Sequence, residues 1–367
     1  MNFLKTALLF VCTLAGTYGY AQDDTSKAMT GDNGAVCSSG GCCCAGNSQA
    51  PLGVMTDHIH DKGQWMLSYT YMDMNMKGDR TGATPINDND IYQNYMMAPE
   101  SMNMQMHMLM AMYGVTDKLT VMVMGGYISY NMTMKMALNM PNMPGMVMTP
   151  GNLNMQSMSS GFTDTKVYGL YNFSNNANQH IIGSIGINLP TGSIKATGTT
   201  ILGNDQQLPY DMQPGSGSFG VAPGITYTRK YGLFYWGADV GADIKLNYNS
   251  RGYKDGNIYH ATAWAGYQFL PFVSGTLRAE DTHTDMVSGE DRAVAIPIYE
   301  TNDPTTKTSN YGGTWMNIYA GLNFHSMKPA LERFRLMAEY GIPVYQNLNG
   351  TQMSLRANLL AGLQCSF

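Results

Sequence analysis

Charged residues are scarce in this chain, and long apolar runs are missing from most of it. Asp, Glu, Lys and Arg make up 13% of its 367 residues, with a formal net charge of −5 and a pI near 5.8. This acidic balance excludes a nucleic-acid-binding protein with a broad basic face. After residue 21, no stretch approaches the roughly 18 apolar residues that a transmembrane helix requires. Helical periodicity is also absent, so a helical fold is not predicted.

Catalytic signatures are missing as well. No nucleophile has an evident paired base, and no glycine-rich phosphate loop is present. A triad assembled from distant parts of the chain is the alternative, since triad residues need not be contiguous. No pattern favours it, and we predict a protein without enzymatic activity.

The composition suits strands that are apolar on one face and polar on the other. Hydrophobic residues reach 44%, yet the mean hydropathy is only −0.21. The balance comes from 41 Gly and 24 Tyr together with Asn and Thr. Transmembrane β-barrels show this mixture because lipid-facing and lumen-facing residues alternate.

The first 21 residues have the organisation of a secretory signal peptide. Lys5 precedes an apolar run over residues 6–15, and Gly19-Tyr20-Ala21 forms a small-x-small cleavage pattern. The apolar run is too short to span a membrane. Residues 22–50 are polar, small and without periodicity, and are predicted to form a disordered, cysteine-bearing periplasmic arm. Residues 51–367 are predicted to form one outer-membrane β-barrel domain.

Beyond the arm, the chain alternates with period two. Trp65, Leu67 and Tyr69 share one face, and Met66 and Ser68 share the other. Without a spanning helix, only a closed barrel can cross a bilayer. Turn signals divide the chain into about twelve strands of the roughly 9–11 residues that crossing needs. The predicted strands are 64–76, 102–115, 119–136, 162–173, 180–189, 218–229, 233–247, 257–269, 272–282, 311–325, 333–345 and 354–367.

The lengths of the connections and the C-terminal strand indicate a bacterial outer-membrane barrel. Turns such as 116–118 and 270–271 are short, whereas 137–161, 190–217 and 283–310 are long. Short periplasmic turns and long extracellular loops are typical of bacterial outer-membrane barrels. The terminal Phe367 of an alternating strand resembles their assembly signal, which implies outer-membrane lipid and the assembly machinery as partners. A soluble β-sandwich, the alternative, accounts for neither feature.

Several segments resemble the phenol meta-pathway-type family of outer-membrane barrels, often called only "transporter". They are Asp57-His58-Ile59-His60 with Trp65-Met66-Leu67-Ser68-Tyr69, Tyr113-Gly114-Val115-Thr116-Asp117-Lys118-Leu119-Thr120, Leu189-Pro190-Thr191-Gly192-Ser193-Ile194, Pro214-Gly215-Ser216-Gly217-Ser218, and Gly341-Ile342-Pro343-Val344-Tyr345-Gln346-Asn347-Leu348. The resemblance runs from about residue 51 to the end. It implies passage of small molecules, aromatic compounds in particular.

Methionine sets this chain apart. Of 32 methionines, 24 lie between Met55 and Met158. A thioether is a soft ligand that prefers Cu(I), and alternate positions of a strand place sulfurs on one face about 6.6–6.8 Å apart. The candidate metal ligands of this type are Met72, Met74, Met76, Met102, Met104, Met106, Met108, Met110, Met112, Met122, Met124, Met132, Met134 and Met136, with His107 as an auxiliary ligand.

The alternative is that these methionines are apolar filler, above all on the lipid face. Leu119, Val121 and Val123 occupy the apolar face of their strand, which predicts that Met122 and Met124 point inward. Leu109, Ala111 and Tyr113 predict the same for Met108, Met110 and Met112. Asn103, Gln105 and His107 stand opposite Met102, Met104 and Met106, so that half of the strand is predicted to stand above the bilayer.

Two further groups offer metal ligands. Cys37, Cys42, Cys43 and Cys44 lie on the arm and suit either a thiolate clip or disulfides, which an oxidising periplasm favours. His58 and His60, two residues apart on extended chain, face the same way and suit Cu or Zn. A hydrogen-bonded cap at the periplasmic mouth of the barrel is the alternative for this pair.

The sequence therefore predicts an outer-membrane channel or transporter of a Gram-negative-type bacterium that handles soft metal ions. Copper, as Cu(I) or Cu(II), is the expected cargo or ligand, and no obligatory cofactor is predicted. The first alternative is an uptake porin for small organic or aromatic compounds. The second is a surface protein that buffers metal without conducting it. A barrel of twelve strands lies between those filled by side chains and those with an open channel, so the lumen is predicted to be narrow or plugged.

Overall fold

The computed structural model describes residues 50–137, 153–174, 178–297, 302–326 and 333–367. No helix in these ranges is long and apolar enough to cross a membrane. The strands are β1 Trp65–Gly82, β2 Thr84–Ile86, β3 Met97–Thr116, β4 Leu119–Met136, β5 Leu153–Phe162, β6 Thr165–Asn172, β7 Gln179–Leu189, β8 Thr197–Thr200, β9 Gly203–Gln207, β10 Gly220–Tyr231, β11 Phe234–Lys245, β12 Tyr253–Lys254, β13 Ile258–Leu270, β14 Val273–Thr284, β15 Ser288–Gly289, β16 Gly313–His325 and β17 Phe334–Ser366. One short helix, α1, covers Asp88–Ile91, and 3-10 turns cover Tyr210–Met212, Pro304–Thr306 and Thr308–Asn310.

Most strands form one closed antiparallel sheet. The order around the ring is β1, β3, β4, β6, β7, β10, β11, β13, β14, β16 and β17, and β17 pairs again with β1. Strand β17 is antiparallel to β16 through residues 335–348 and to β1 through 348–366, so its direction reverses near Gly350, whose φ is +57°. The eleven ring elements therefore cross the wall twelve times. The predicted all-β antiparallel barrel is confirmed.

Alternation of side chains explains why these segments form a barrel wall. Leu277 in β14 is 60% exposed on the outer face, whereas its neighbour Arg278 is 3% exposed on the inner face. The large exposed apolar residues of the other ring strands also follow period two. A sheet with an apolar outer face and a mixed inner face requires lipid outside the barrel.

Each predicted strand overlaps an observed one, and the larger differences lie in β1, β3 and β5. β1 continues to Gly82, β3 begins at Met97, and β5 occupies part of the segment predicted to be the loop 137–161. Next to these extensions, the outer face of β1 and β3 is already polar: Asn103 and Gln105 donate hydrogen bonds to the carboxylate of Asp73. Strand pairing therefore continues past the apolar band.

Residues 50–61, named here the luminal segment, form no strand and lie inside the ring. Leu52 packs against inward side chains of β16 and β17, and Val54 packs against Trp264 of β13. The nitrogen of His60 reaches Thr120 of β4 on another side of the ring. The segment thus contacts strands around the lumen. The predicted barrel domain, residues 51–367, includes this segment, whose residues lie in the lumen; the first predicted strand begins only at residue 64.

Long loops cover the opposite end of the barrel. Leu208 and Met212, from the segment between β7 and β10, are buried in one apolar cluster with Met97, Met102 and Met132. Beside it, Tyr210, Tyr253 and Val294 form a second buried cluster. The predicted signal peptide, residues 1–21, and the predicted arm except for residue 50 lie outside the described residues.

Candidate functional site

The inner face of β1, β3 and β4, named here the methionine wall, carries the thioether side chains. Met110 is 7% exposed and Met122 is 1% exposed, whereas Leu109 is 62% exposed on the outer face. The inward orientation predicted for Met108, Met110, Met112, Met122 and Met124 is confirmed by their placement in or against one buried cluster. The lipid-facing alternative is wrong for these residues.

Strand register places the thioethers side by side. Met66 pairs with Met112, which pairs with Met122. Met76, Met102 and Met132 form a second row in the same three strands. Between these rows, Met72 pairs with Met106 and Met74 with Met104. Since paired residues of neighbouring strands lie about 4.5–5.5 Å apart, each row brings two or three sulfurs within reach of one ligand.

The two ends of the methionine wall are packed, and its middle is more open. The row nearest the luminal segment is buried with Leu170 and Ile182. The row at the far end, with Met134 beyond it, is buried against Leu208 and Met212 of the covering loops. Met72, Met74, Met104, Met106 and Met108 lie between them and are only half-buried. These middle thioethers line the interior of the barrel.

His107 does not belong to the methionine wall, contrary to the prediction of an auxiliary ligand. It occupies an odd position of β3, next to Leu109, and lies on the outer face. Its Nδ1 is 2.7 Å from the hydroxyl oxygen of Tyr69, and its ring also lies beside Tyr71. Alternation along the strand therefore separates this imidazole from the neighbouring sulfurs.

The rest of the inner face, named here the ion-pair wall, carries paired charges on β6, β11, β13, β14 and β17. Lys166 Nζ lies 2.8 Å and Lys245 Nζ lies 3.2 Å from the carboxylate of Asp243. His260 Nε2 lies 2.9 Å from Asp239 Oδ1. Buried charges require partners because removing them from water is costly. Sequence reasoning missed this wall, since inward polar residues spread over many strands form no local motif.

An arginine anchors the luminal segment to the ion-pair wall. Arg278 bonds Glu280 at 2.6 Å and Glu339 at 2.9 Å, and its guanidinium lies 3.7 Å from the ring centre of Tyr319. The nitrogen of Gly53 donates to the same Glu339 at 3.2 Å. A Cβ on Gly53 would stand 2.3 Å from the guanidinium. Glycine therefore permits the close approach.

The two predicted imidazole ligands come together in the luminal segment. The rings of His58 and His60 are 5.1 Å apart between centroids. His58 Nδ1 lies 2.7 Å from Asp57 Oδ1. Burial, together with His58 nearby, lowers the pKa of His60 to about 3, against the opposing influence of Asp57. His60 is therefore a neutral imidazole, which is the form that binds metals.

Acidic groups are buried in the covering loops. Asp303 is 1% exposed, and its Oδ1 accepts hydrogen bonds from the nitrogen and hydroxyl of Thr305. Burial raises its pKa to about 6 despite these bonds. Burial, reinforced by the charge of Asp303, raises the pKa of Asp211 to about 7. The hydroxyl of Tyr311 donates to Asp211 at 3.3 Å.

The remaining predicted ligands are not brought together. Cys37, Cys42, Cys43 and Cys44 lie outside the described residues. Within the described ranges, no group of three or more His, Cys, Asp or Glu side chains is placed to hold a metal ion. A metal ion bound by the described residues would therefore be held by thioethers, or by fewer than three His, Cys, Asp or Glu side chains.

Comparisons with known proteins support the predicted resemblance. Residues 120–296 match the family model described as putative MetA-pathway of phenol degradation. The fold is similar to the crystal structure of an outer membrane channel from Pseudomonas putida F1, with a TM-score of 0.55 and 12% identity over 85% of this chain and 98% of that chain. The toluene transporter TodX of Pseudomonas putida matches with a TM-score of 0.37 and 9% identity over 83% of this chain and 89% of that one. No curated protein matches.

Proposed function

We propose that this chain is an outer-membrane channel that passes small organic compounds, with aromatic compounds as the preferred cargo. The observation that carries the proposal is the division of the lumen into an apolar methionine wall and an ion-pair wall. Thioethers contact aromatic rings favourably, by about 0.3–1.5 kcal/mol each, while fixed charges interact with polar substituents. The barrel fold and the matched family model agree with this proposal.

The luminal segment and the covering loops pack against the inner face at the two ends of the lumen, and the proposed passage involves displacement of one or both. The bonds that hold the luminal segment are side-chain contacts rather than a sheet, which suits a removable element. No enzymatic step is part of the proposal.

Uptake into proteoliposomes tests the cargo class. Wild-type protein should carry 4-hydroxybenzoate faster than a neutral sugar of similar mass, because the aromatic ring contacts the half-buried thioethers. Replacing Met72, Met74, Met106 and Met108 with Gln should remove that preference while leaving a folded barrel. Met286, an exposed residue outside the ring strands, gives the matched control variant Met286→Gln. Equal rates for both solutes in wild-type protein would contradict an aromatic cargo.

A second candidate function, the handling of soft metal ions such as Cu(I), is supported by the register of the methionine wall. Replacing Met72, Met74, Met108, Met110, Met122 and Met124 with Leu keeps volume and apolarity, and such changes cost below about 1.5 kcal/mol each. The barrel should still form, while Ag(I) binding in detergent, measured with the thiols alkylated, should weaken strongly. Ag(I) binding without metal-dependent conductance would favour the metal-buffering protein. Equal Ag(I) affinity in both proteins would contradict any metal role for this wall.

A further inference from the structure

His60 is a buried polar side chain without a hydrogen-bond partner on either ring nitrogen. It is 1% exposed, and neither Nδ1 nor Nε2 has a partner among the described residues. Its backbone, by contrast, is held in place, because its nitrogen donates a 2.9 Å hydrogen bond to Thr120 Oγ1. Buried polar groups without partners are rare, because each costs about 1–3 kcal/mol. A ligand bonded to one ring nitrogen of His60 would remove this cost.

The neighbouring histidine is arranged as metal-ligating histidines usually are. His58 Nδ1 is 2.7 Å from Asp57 Oδ1, which leaves Nε2 as the nitrogen able to bind an ion. A carboxylate on the second ring nitrogen fixes the orientation of an imidazole and increases its basicity. Asp57 is itself buried, with 6% exposure. Its side chain thus belongs to the interior of the luminal segment.

The spacing of the two rings suits one shared ion. Their centroids lie 5.1 Å apart with an interplanar angle of 82°. A zinc ion binds imidazole nitrogen at about 2.0–2.1 Å, and two such bonds fit between rings at this separation. Imidazole suits zinc and copper. We propose that His58 and His60 bind a divalent ion of the Zn(II) or Cu(II) class, with Asp57 positioning His58.

This site is independent of the proposed cargo and of the methionine wall. Thioethers prefer monovalent soft ions, whereas neutral imidazoles also bind divalent ions of intermediate softness. Because no third His, Cys, Asp or Glu among the described residues is placed as a ligand, water completes the coordination. A water molecule bonded to His60 is the competing explanation of its unpartnered nitrogens.

Cu(II) titration of the full-length protein in detergent, with its thiols blocked by alkylation, tests the proposal. We expect one equivalent bound at micromolar concentration, with an electron paramagnetic resonance spectrum that shows two imidazole nitrogens. His60→Gln and His58→Gln should each remove this equivalent. Asp57→Asn should weaken binding by about 10–100-fold, as loss of such a supporting carboxylate does. Zn(II) should compete for the same site.

His180→Gln is the matched control, since His180 also faces inward at the same end of the barrel and contacts Asn172 through Nδ1. Heat-modifiable migration in gels establishes that each variant is a folded barrel. If a His60 variant does not fold, the two-nitrogen spectrum of the wild-type protein and its loss in His58→Gln still decide the matter. Binding unchanged in His58→Gln, or no Cu(II) bound by wild-type protein at micromolar concentration, overturns the proposal.

Discussion

Asp164, in the short connection between β5 and β6, joins two of the sequence motifs that carry the family resemblance. Its Oδ1 accepts a hydrogen bond from the nitrogen of Gly192 at 2.9 Å, and its Oδ2 accepts from the nitrogen of Ser216 at 2.9 Å. The Ser216 hydroxyl adds a bond of 2.5 Å to the same oxygen. Gly192 and Gly215 meet so closely that a Cβ on either would stand 2.6 Å from the Cα of the other. One carboxylate therefore holds both ends of a long loop together.

Replacing Asp164 with Ala should loosen the loop formed by residues 190–217. Hydrogen bonds to a charged group contribute about 1.5–3 kcal/mol each, and the nitrogens of Gly192 and Ser216 would lose their acceptor. Limited proteolysis should therefore cut this loop faster in Asp164→Ala than in the wild type. Asp164→Asn, which retains one acceptor oxygen, should give an intermediate rate. Identical cleavage of all three proteins would show that the carboxylate does not hold the loop.

Gly114 shows why the motif of residues 113–120 contains a glycine at this position. Its nitrogen donates to Gln64 at 2.9 Å, and its oxygen accepts from Gly63 at 2.8 Å. A Cβ at this position would lie 2.0 Å from the backbone oxygen of Asp61. The two motifs around His60 and Gly114 are therefore in direct contact, because one chain segment lies on the other.

Gly114→Ala should displace the end of the luminal segment from β3, since backbone atoms cannot yield as a flexible side chain would. We expect larger conductance in planar bilayers together with faster proteolysis near residue 61. Gly169→Ala is the control, because a Cβ on Gly169 meets nothing within 4 Å. Wild-type conductance in Gly114→Ala, with the barrel intact, would mean that this end of the segment does not restrict passage.

Alternation predicted the residues of the methionine wall but not those of the ion-pair wall. An apolar residue such as Val123 identifies the outer face of its strand, and Met122 and Met124 must then point inward. His107 was assigned by its chemical type rather than by its position in the alternation, which is why its predicted role failed. Arg278 and Glu339 lie 61 residues apart, and no local pattern predicts such a pairing.

At the level of elements, we expect the covering loops to respond to pH in the direction set by the carboxyls of Asp211 and Asp303. The pKa of Asp303 is raised to about 6 and that of Asp211 to about 7 by burial. A carboxyl whose pKa is raised when the loops are packed on the barrel stabilises the packed loops fully when the pH is below the ordinary carboxyl pKa, near 4. The advantage is lost as the pH rises from about 4 towards 7.

Conductance should therefore increase as the pH is raised from 4 to 8, because ionisation favours solvated loops. The double variant Asp211→Asn and Asp303→Asn should make this dependence weaker, since its side chains remain neutral. Asp205→Asn serves as control, because Asp205 is exposed in the same loop and Asn tolerates its φ of 56°. A pH profile that the double variant leaves unchanged would assign the effect to other groups.

The luminal segment shows what periodicity cannot predict about elements. Residues 51–61 carry no strand pattern, and their apolar residues, such as Leu52 and Val54, are too few to suggest an element. Their position depends on contacts with Arg278 and Glu339, far along the chain. The twelve crossings were predictable because each repeats the same period, whereas the segment that fills the lumen has no repeat.

For the whole molecule, closure depends on the two ends of the barrel sequence. The nitrogen of Trp65 donates to Phe367 at 2.8 Å, and the nitrogen of Phe367 donates to Trp65 at 2.9 Å. These reciprocal bonds complete the seam between β1 and β17, which otherwise runs from Met66 and Ser366 to Gly82 and Leu348. The terminal residue thus belongs to the closed sheet.

Deleting Phe367 should reduce the membrane-inserted, heat-modifiable fraction, because the seam loses both bonds and the terminal aromatic ring. Phe367→Tyr, which keeps the backbone bonds and an aromatic ring, should assemble as the wild type does. Full insertion of the deletion variant would show that the last residue is dispensable for closure. The measurement is the heat-shifted band in gels of isolated outer membranes.

The unequal walls of the lumen also act on the orientation of whatever enters. A molecule with an apolar edge and a polar edge has one favoured rotation about the barrel axis, with its apolar edge towards Met74 and Met104 and its polar edge towards Asp239 and His260. A solute of uniform polarity has no such preferred rotation. If the barrel is the proposed channel, we expect it to distinguish molecules by how their polarity is distributed across their width, even among molecules of equal size.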